Sequence, residues 1–164
     1  MNYCPNCSAE LKSYQIEGVE RLKCSTAQCS FVHWNNPVPV VMALVQYNEQ
    51  YIVAHNVVWP EGIYSFITGY VDEHELPDQA VLREVKEELG LEATLGRFLG
   101  HYMFKEKNQL IIAYEVIANG SLKLNHELSD VLYLSFDGLS QYNFGPLYIT
   151  RQVLKEWMRI NVSP

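Results

Sequence analysis

Apolar and polar positions along this chain follow two periods, and the switches between them mark out the elements. From Val40 to Gln46 an apolar run predicts a buried strand. Tyr47-Asn48-Glu49-Gln50 reads as a turn and Tyr51–His55 as the returning strand. Trp59-Pro60-Glu61-Gly62 predicts a loop, followed by a short strand over Tyr64–Ile67. The period then changes. Between Pro77 and Leu89 the residues Val81, Val85 and Leu89 recur on one stripe, which predicts an amphipathic helix pinned to a sheet. Strands are expected over Ala93–Phe104 and Gln109–Ile117, around the turn Lys105-Glu106-Lys107-Asn108, and again over Val131–Phe136. Ile149, Val153, Leu154 and Trp157 return at helical spacing and predict a last helix from about Gly145 to Ile160. Strand runs with two separated helices predict an α+β or mixed α/β sandwich.

The first 29 residues do not fit this scheme, and they hold all four cysteines: Cys4, Cys7, Cys24 and Cys29. Two short pairs separated by a hairpin-length stretch can supply four sulfurs to a tetrahedral zinc. So short a segment buries little apolar surface, and a metal would supply most of its folding energy. Disulfides, a redox Cys-x-x-Cys and plain thiols are the alternatives. Clustering of the pairs and the absence of a signal sequence favour zinc. Cys24 and Cys29 are spaced more widely than the usual Cys-x2-Cys, and His33 is a substitute ligand to consider. Asn35-Asn36-Pro37-Val38-Pro39 reads as a junction, so a zinc-ribbon-like segment is expected over 1–36 and a main domain over 37–164.

Composition narrows the function. Of 164 residues 48% are hydrophobic, enough for a real core. No apolar run reaches the ~18 residues of a membrane span, and no signal peptide opens the chain, so a cytoplasmic setting without membrane partners is expected. A formal charge of −7 argues against a general nucleic-acid surface. It is compatible with a phosphorylated ligand, provided carboxylates hold Mg²⁺ or Mn²⁺ to receive the phosphates.

That chemistry has a place. On the expected helix Glu84, Glu87 and Glu88 stand at i, i+3 and i+4, so their carboxylates share a face and repel one another unless a cation sits among them. Arg83 can reach Glu87 one turn on, and Gly90 stands where a left-handed cap needs glycine. An exposed acidic helix would look similar over a few residues. The full stretch GYVDEHELPDQAVLREVKEELGL, from Gly69 to Leu91, is more than that. Its Gly, five residues, Glu, seven residues, Arg-Glu-Val-Lys-Glu-Glu-Leu-Gly-Leu resembles the signature of the Nudix hydrolase family.

The resemblance implies a mixed sheet between helices and a Mg²⁺- or Mn²⁺-dependent attack of water on a pyrophosphate. It implies that Glu84, Glu87 and Glu88 bind or position the metals and that the Gly69 backbone lies beside them. Arg83 would orient a catalytic glutamate, Glu75 would steady the loop ahead of the helix, and Gly90 would be structural. A further carboxylate from a later loop serves many relatives as base or ligand. Here Glu127 is the candidate and Asp130 the second, with His126 a bystander. Where relatives often carry a Thr or Ser cap ahead of the helix, this chain has Leu76, a loss of about 1 kcal/mol unless Asp78 or water helps.

A four-cysteine ribbon ahead of this box is similar to the NADH pyrophosphatase group, some of whose relatives remove the NAD cap from RNA. The likeness runs from Cys4 to about Tyr133. It implies a nucleoside-diphosphate derivative as substrate (an NADH-like dinucleotide, ADP-ribose or a nucleotide sugar), a structural Zn²⁺ and a homodimer. The group's Ser-Gln-Pro-Trp-Pro-Phe-Pro-x-Ser run is absent; His101–Gln109 stands there instead, with only Phe104 in common. Phe66, Tyr70, Tyr102 and Phe104 are the candidate base-stacking residues. The competing functions are a housecleaning pyrophosphatase for nucleoside triphosphates and a non-catalytic nucleotide-sensing module. A nucleic-acid or protein adaptor role for the ribbon is a further alternative, weakened by its having only Lys12, Arg21 and Lys23 as basic residues.

Overall fold

A computed structural model describes residues 1–162, with the Val162 side chain excepted. Ser163 and Pro164, the end of the expected 37–164 domain, lie outside the described residues. The chain forms two compact units, one of residues Met1–Pro37 and one that begins at Val38.

In the first unit β1 (Leu11–Ile16), β2 (Val19–Cys24) and β3 (Val32–His33) form an antiparallel sheet in that order. The β1–β2 turn is Glu17-Gly18, both at positive φ (52° and 78°), as a two-residue hairpin loop requires. Its buried core is only Cys4, Leu11 and Cys24, with Leu22 and Phe31 packed alongside. So small a core leaves the unit dependent on a staple.

The second unit is built on a six-stranded mixed sheet: β4 (Val38–Tyr47), β5 (Gln50–Asn56), β6 (Ile67–Tyr70), β7 (Glu92–Phe104), β8 (Gln109–Asn119) and β9 (Leu128–Leu134). The order is β7-β8-β4-β5-β9, with β6 also pairing β4; β4 and β8 run parallel and the other pairs antiparallel. Helices α1 (Pro77–Leu89) and α3 (Tyr148–Val162) cover opposite faces of it. Period-2 geometry explains the unbroken apolar run in β4. Val41, Ala43 and Val45 join the cluster containing Val81, Val85 and Leu89 of α1, while Val40, Met42 and Leu44 join the one containing Val153, Leu154 and Trp157 of α3.

Most expected boundaries move by a residue or two, and three elements begin three residues away from where they were expected, each for a local reason. Ser65, inside the expected Tyr64–Ile67 strand, makes only a single bridge to Ala54, and continuous pairing begins at Ile67 against Ala43. The strand expected at Val131–Phe136 is β9, which starts earlier at Leu128 and stops at Leu134. Ser135 ends it by capping a short helix absent from the sequence reading, α2 (Phe136–Ser140), its Oγ accepting from the Gly138 N–H at 3.1 Å. The last helix begins at Tyr148 instead of near Gly145, because Gly145 sits at φ 55° and precedes Pro146 in a turn.

Helix α1 spans Pro77–Leu89. Leu76 offers no side-chain cap, but Gln79 Oε1 accepts from the Leu76 N–H (3.1 Å) and Asp78 Oδ1 from the Gln79 N–H (3.0 Å). Gly90 closes the helix in the left-handed region (φ 68°), its N–H donating to Lys86 O at 2.9 Å.

One buried charge escaped the sequence reading. Glu115 points from β8 into the α3 face, where Arg97 holds it through Nε (2.7 Å) and a second nitrogen (3.1 Å), and Trp157 Nε1 donates at 2.9 Å. Burial pushes its carboxyl up, but these hydrogen bonds outweigh it and hold the group below its ordinary range.

Candidate active site

The chain from β6 into α1 carries most of the candidate residues, and Arg83 organises them. Its guanidinium forks onto Glu75 through Nε (2.8 Å) and one terminal nitrogen (2.9 Å), and the latter also donates to Tyr70 O at 2.9 Å. Its other terminal nitrogen donates to Glu84 (2.8 Å) and Glu87 (3.1 Å). The i+4 contact to Glu87 expected from the sequence is therefore one arm of a wider clamp, in which Glu75 is the bidentate partner. Those Arg83 bonds hold the Glu75 carboxyl below its ordinary range. Glu75 also accepts from the Asp72 N–H at 3.1 Å, which ties down the loop ahead of the helix.

Gly69 packs directly on Glu84. A Cβ built there would lie 1.9 Å from the Glu84 carboxyl carbon and 2.0 Å from its Oε1, so only glycine leaves the carboxylate where it is. Glu88, on the same helix face, is nearly buried. Burial, then the charges of Glu84, Glu127 and Glu87, push its carboxyl up to about 8. Burial raises Glu84 as well, against the lowering effect of Arg83.

These groups line one cavity of about 720 Å³. Glu84, Glu87 and Glu88 from α1, Gly69 and Tyr70 from β6, Asp72, and Glu127 from the loop before β9 form its acidic side. Glu127 is fixed at the main chain, its N–H donating to Asn125 Oδ1 (2.9 Å) and its carbonyl accepting from the Val57 N–H (2.8 Å). Asp130, the second candidate, does not line the cavity; it accepts from Tyr64 Oη at 2.6 Å. His126 is exposed and outside the lining as well. A crowded set of hard oxygen donors, one buried and protonating easily, beside a backbone with no Cβ, is a donor set that fits Mg²⁺ or Mn²⁺.

Met42, Phe104, Ile111, Leu147 and Ile149 give the cavity its apolar lining, and Glu106 and Lys107 line it as well. Of the aromatic candidates, Tyr70 and Phe104 line the cavity, and Gln109 Nε2 donates to Tyr70 Oη at 3.1 Å. Phe66 does not: it is buried in the core edge-on to Phe144, because alternation turns it away from the site. Tyr102 is likewise outside, its hydroxyl donating to Leu99 O at 2.7 Å. The sequence reading missed Trp59, Tyr148 and Lys107, which line the cavity. Tyr148 meets Phe104 edge-on and donates to Glu106 at 2.7 Å. Trp59 in a Pro-Gly loop was a visible signal; the position of Tyr148 is set only by packing of α3.

In the first unit the Sγ atoms of Cys4, Cys7, Cys24 and Cys29 all lie within 4.8 Å of one another, with Cys4–Cys29 at 3.6 Å and Cys7–Cys24 at 3.5 Å. Sulfurs ~2.3 Å from a tetrahedral zinc sit roughly 3.8 Å apart, so the spacing fits one metal and is far beyond the ~2.05 Å of a disulfide. The main chain at Thr26 hydrogen-bonds the Cys24 sulfur and lowers that thiol to about 7. Phe31 does the same for Cys29, but burial and the neighbouring sulfurs outweigh it and raise that thiol to about 11. His33 is not part of this donor group. Among the described residues no helix is long and apolar enough to cross a membrane.

A family model described as NUDIX domain matches residues 37–157. The chain is 25% identical over 139 residues to the NAD-capped RNA hydrolase NudC of Pseudomonas aeruginosa, covering 84% of this chain and 49% of that protein. It is 24% identical over 152 residues to the mitochondrial NAD(P)H pyrophosphatase NUDT13 of Homo sapiens, covering 79% and 43% respectively. The chain thus spans about half the length of these relatives. In fold it resembles the crystal structure of a NUDIX hydrolase from Nitrosomonas europaea, with a TM-score of 0.83 at 18% identity, covering 100% of this chain and 95% of that one.

Proposed function

Since this chain belongs to the NUDIX domain family, we propose that it hydrolyses the pyrophosphate bond of a nucleoside-diphosphate derivative with the help of Mg²⁺ or Mn²⁺. The observation that carries this reading is the convergence of Glu84, Glu87 and Glu88 from one helix and Glu127 from a distant loop on one side of an open cavity. Among the residues lining that cavity Lys107 is the single lysine or arginine. A diphosphate entering it meets carboxylates and would be repelled without bound cations.

Glu84, Glu87 and Glu88 would hold the cation, beside the Gly69 main chain. When bound there, a divalent cation offsets charge on the phosphoryl oxygens and acidifies water. Arg83 keeps Glu84 and Glu87 in place, and Glu75 keeps Arg83 in place. Glu127 takes a proton from the attacking water as its oxygen bonds to phosphorus and the bridging P–O bond breaks, so that two monophosphates leave. Tyr70, Phe104, Trp59 and Tyr148 offer faces for a base. The names of the relatives point to NAD(P)H or to RNA that carries an NAD cap, and the acidic cavity, with Lys107 its single lysine or arginine, favours the free dinucleotide. In the first unit, Cys4, Cys7, Cys24 and Cys29 would hold a structural zinc, with no position left open for catalysis.

The test is product analysis on NADH, ADP-ribose, nucleotide sugars and nucleoside triphosphates with Mg²⁺ or Mn²⁺. Two monophosphates from a diphosphate derivative are expected, and Glu88→Gln should nearly abolish turnover. Release of inorganic pyrophosphate from triphosphates alone would favour the housecleaning reading. Near-normal turnover by Glu88→Gln would remove this helix as the metal site.

A further inference from the structure

Deep in the same cavity two hydroxyls stand where an apolar core would be expected. Ser65, just before β6, and Thr150, in the first turn of α3, are each only 3% exposed, and both line the cavity. Their oxygens are 2.8 Å apart, and among the described residues neither side chain makes another hydrogen bond. The Ser65 main chain is already satisfied by Ala54 in both directions, so its hydroxyl is not needed there. Val40, Met42, Ile111 and Ile149 line the same side, and a Ser–Thr pair among them has no packing advantage over an Ala–Val pair of similar shape. One hydroxyl hydrogen is spent within the pair. The other, and the remaining lone pairs, are left for a visitor.

The charge pattern says what kind of visitor. Asp72, Glu84, Glu87, Glu88 and Glu127 form the acidic side of the cavity, whereas among the described residues the Ser65 and Thr150 hydroxyls bond only to each other and to no charged group; the remaining charged lining residues are Glu106, which accepts from Tyr148, and Lys107. Phosphates therefore belong with the cations at the acidic side, and an uncharged group belongs at the hydroxyl pair. Resting on the hydrolase reading above, we propose that Ser65 and Thr150 form the specificity element for the substrate's uncharged half, hydrogen-bonding a neutral sugar hydroxyl or base amide. Because the pair can donate and accept together, it matches a group that does the same. Buried polar groups left unpaired by the wrong ligand discriminate more sharply than apolar contact does.

The test measures KM and kcat for NADH and ADP-ribose with wild type, Ser65→Ala, Thr150→Val, the Ser65→Ala/Thr150→Val double variant and Thr150→Ser. The double variant leaves no orphaned hydroxyl, which guards against misfolding from an unpaired buried group. In it KM should rise about tenfold with a much smaller change in kcat, at unchanged Mn²⁺ affinity, and Thr150→Ser should restore KM. Loss on both substrates assigns the contact to the adenosine or ribose part they share; loss on NADH alone assigns it to the nicotinamide amide. An unchanged KM, or a loss that Thr150→Ser shares together with a lower melting temperature, overturns the proposal. If wild type cleaves neither these two substrates nor any nucleotide sugar, the hydrolase reading fails separately. The pair is then judged by calorimetry with ADP-ribose, where equal affinity in wild type and double variant, or none in either, overturns it too.

Discussion

Replacing Gly69 by alanine separates what the site needs from what the fold needs. A Cβ there falls 1.9 Å from the Glu84 carboxyl carbon, 2.0 Å from Oε1 and 2.4 Å from Cγ, against ordinary contacts of ~3.5–4.0 Å. Glu84 must therefore move by roughly 1.5–2 Å. It is the end of a flexible side chain, so rotation relieves the clash at small cost to the backbone. What is lost is the 2.8 Å bond from Arg83 to Glu84, while the fork onto Glu75 survives. A charge-assisted bond at a partly exposed position contributes about 1 kcal/mol after solvent screening, a fall of a few degrees in melting temperature for a domain this size. Catalysis should suffer far more, because an ångström of misplacement costs about 100-fold. Steady-state hydrolysis, Mn²⁺ binding by calorimetry and thermal melting check this on one preparation. Turnover within about threefold of wild type would refute the claim that the Gly69–Glu84 contact sets the position of a working carboxylate.

Arg83→Lys keeps the charge but cannot fork; it should lower turnover by at least about tenfold and destabilise the second unit by roughly 1 kcal/mol, read by kinetics and denaturant melts. Glu88, whose carboxyl is pushed up to about 8, binds its proton more tightly in the folded chain than in the unfolded one. In chelator-treated protein its contribution to stability is thus full below the ordinary carboxylate range and lost as pH rises through about 8, and Mn²⁺ must displace that proton. Affinity for Mn²⁺ should accordingly climb between about pH 6 and 8, and a flat profile by calorimetry would contradict this; Glu88→Gln should flatten it. Metal analysis should find about one zinc per chain, and a strong chelator should expose four titratable thiols and unfold the first unit while the far-ultraviolet signal of the second persists. Zinc-free protein with freely reactive thiols before chelation would count against that.

Local order of residues determined a good deal. Periodicity placed α1 at Pro77–Leu89, because capping, helix spacing and the acidic face all depend on neighbours within a turn or two. The same locality made Glu84, Glu87 and Glu88 legible as one face, and the clustered cysteines as one donor group. The apolar run of β4 announced a buried strand, whereas which residue faces which helix follows from its register against β8 and β5. Only the tertiary structure could bring Glu127 to the helix, bury Glu115 between Arg97 and Trp157, turn Phe66 into the core, or set Thr150 against Ser65. Those pairs are separated by long stretches of chain, and no local pattern encodes a contact that exists only after sheet and helices have packed. Most of the acidic side of the cavity was thus written into one helix, while the side that carries Ser65 and Thr150 was assembled by the fold.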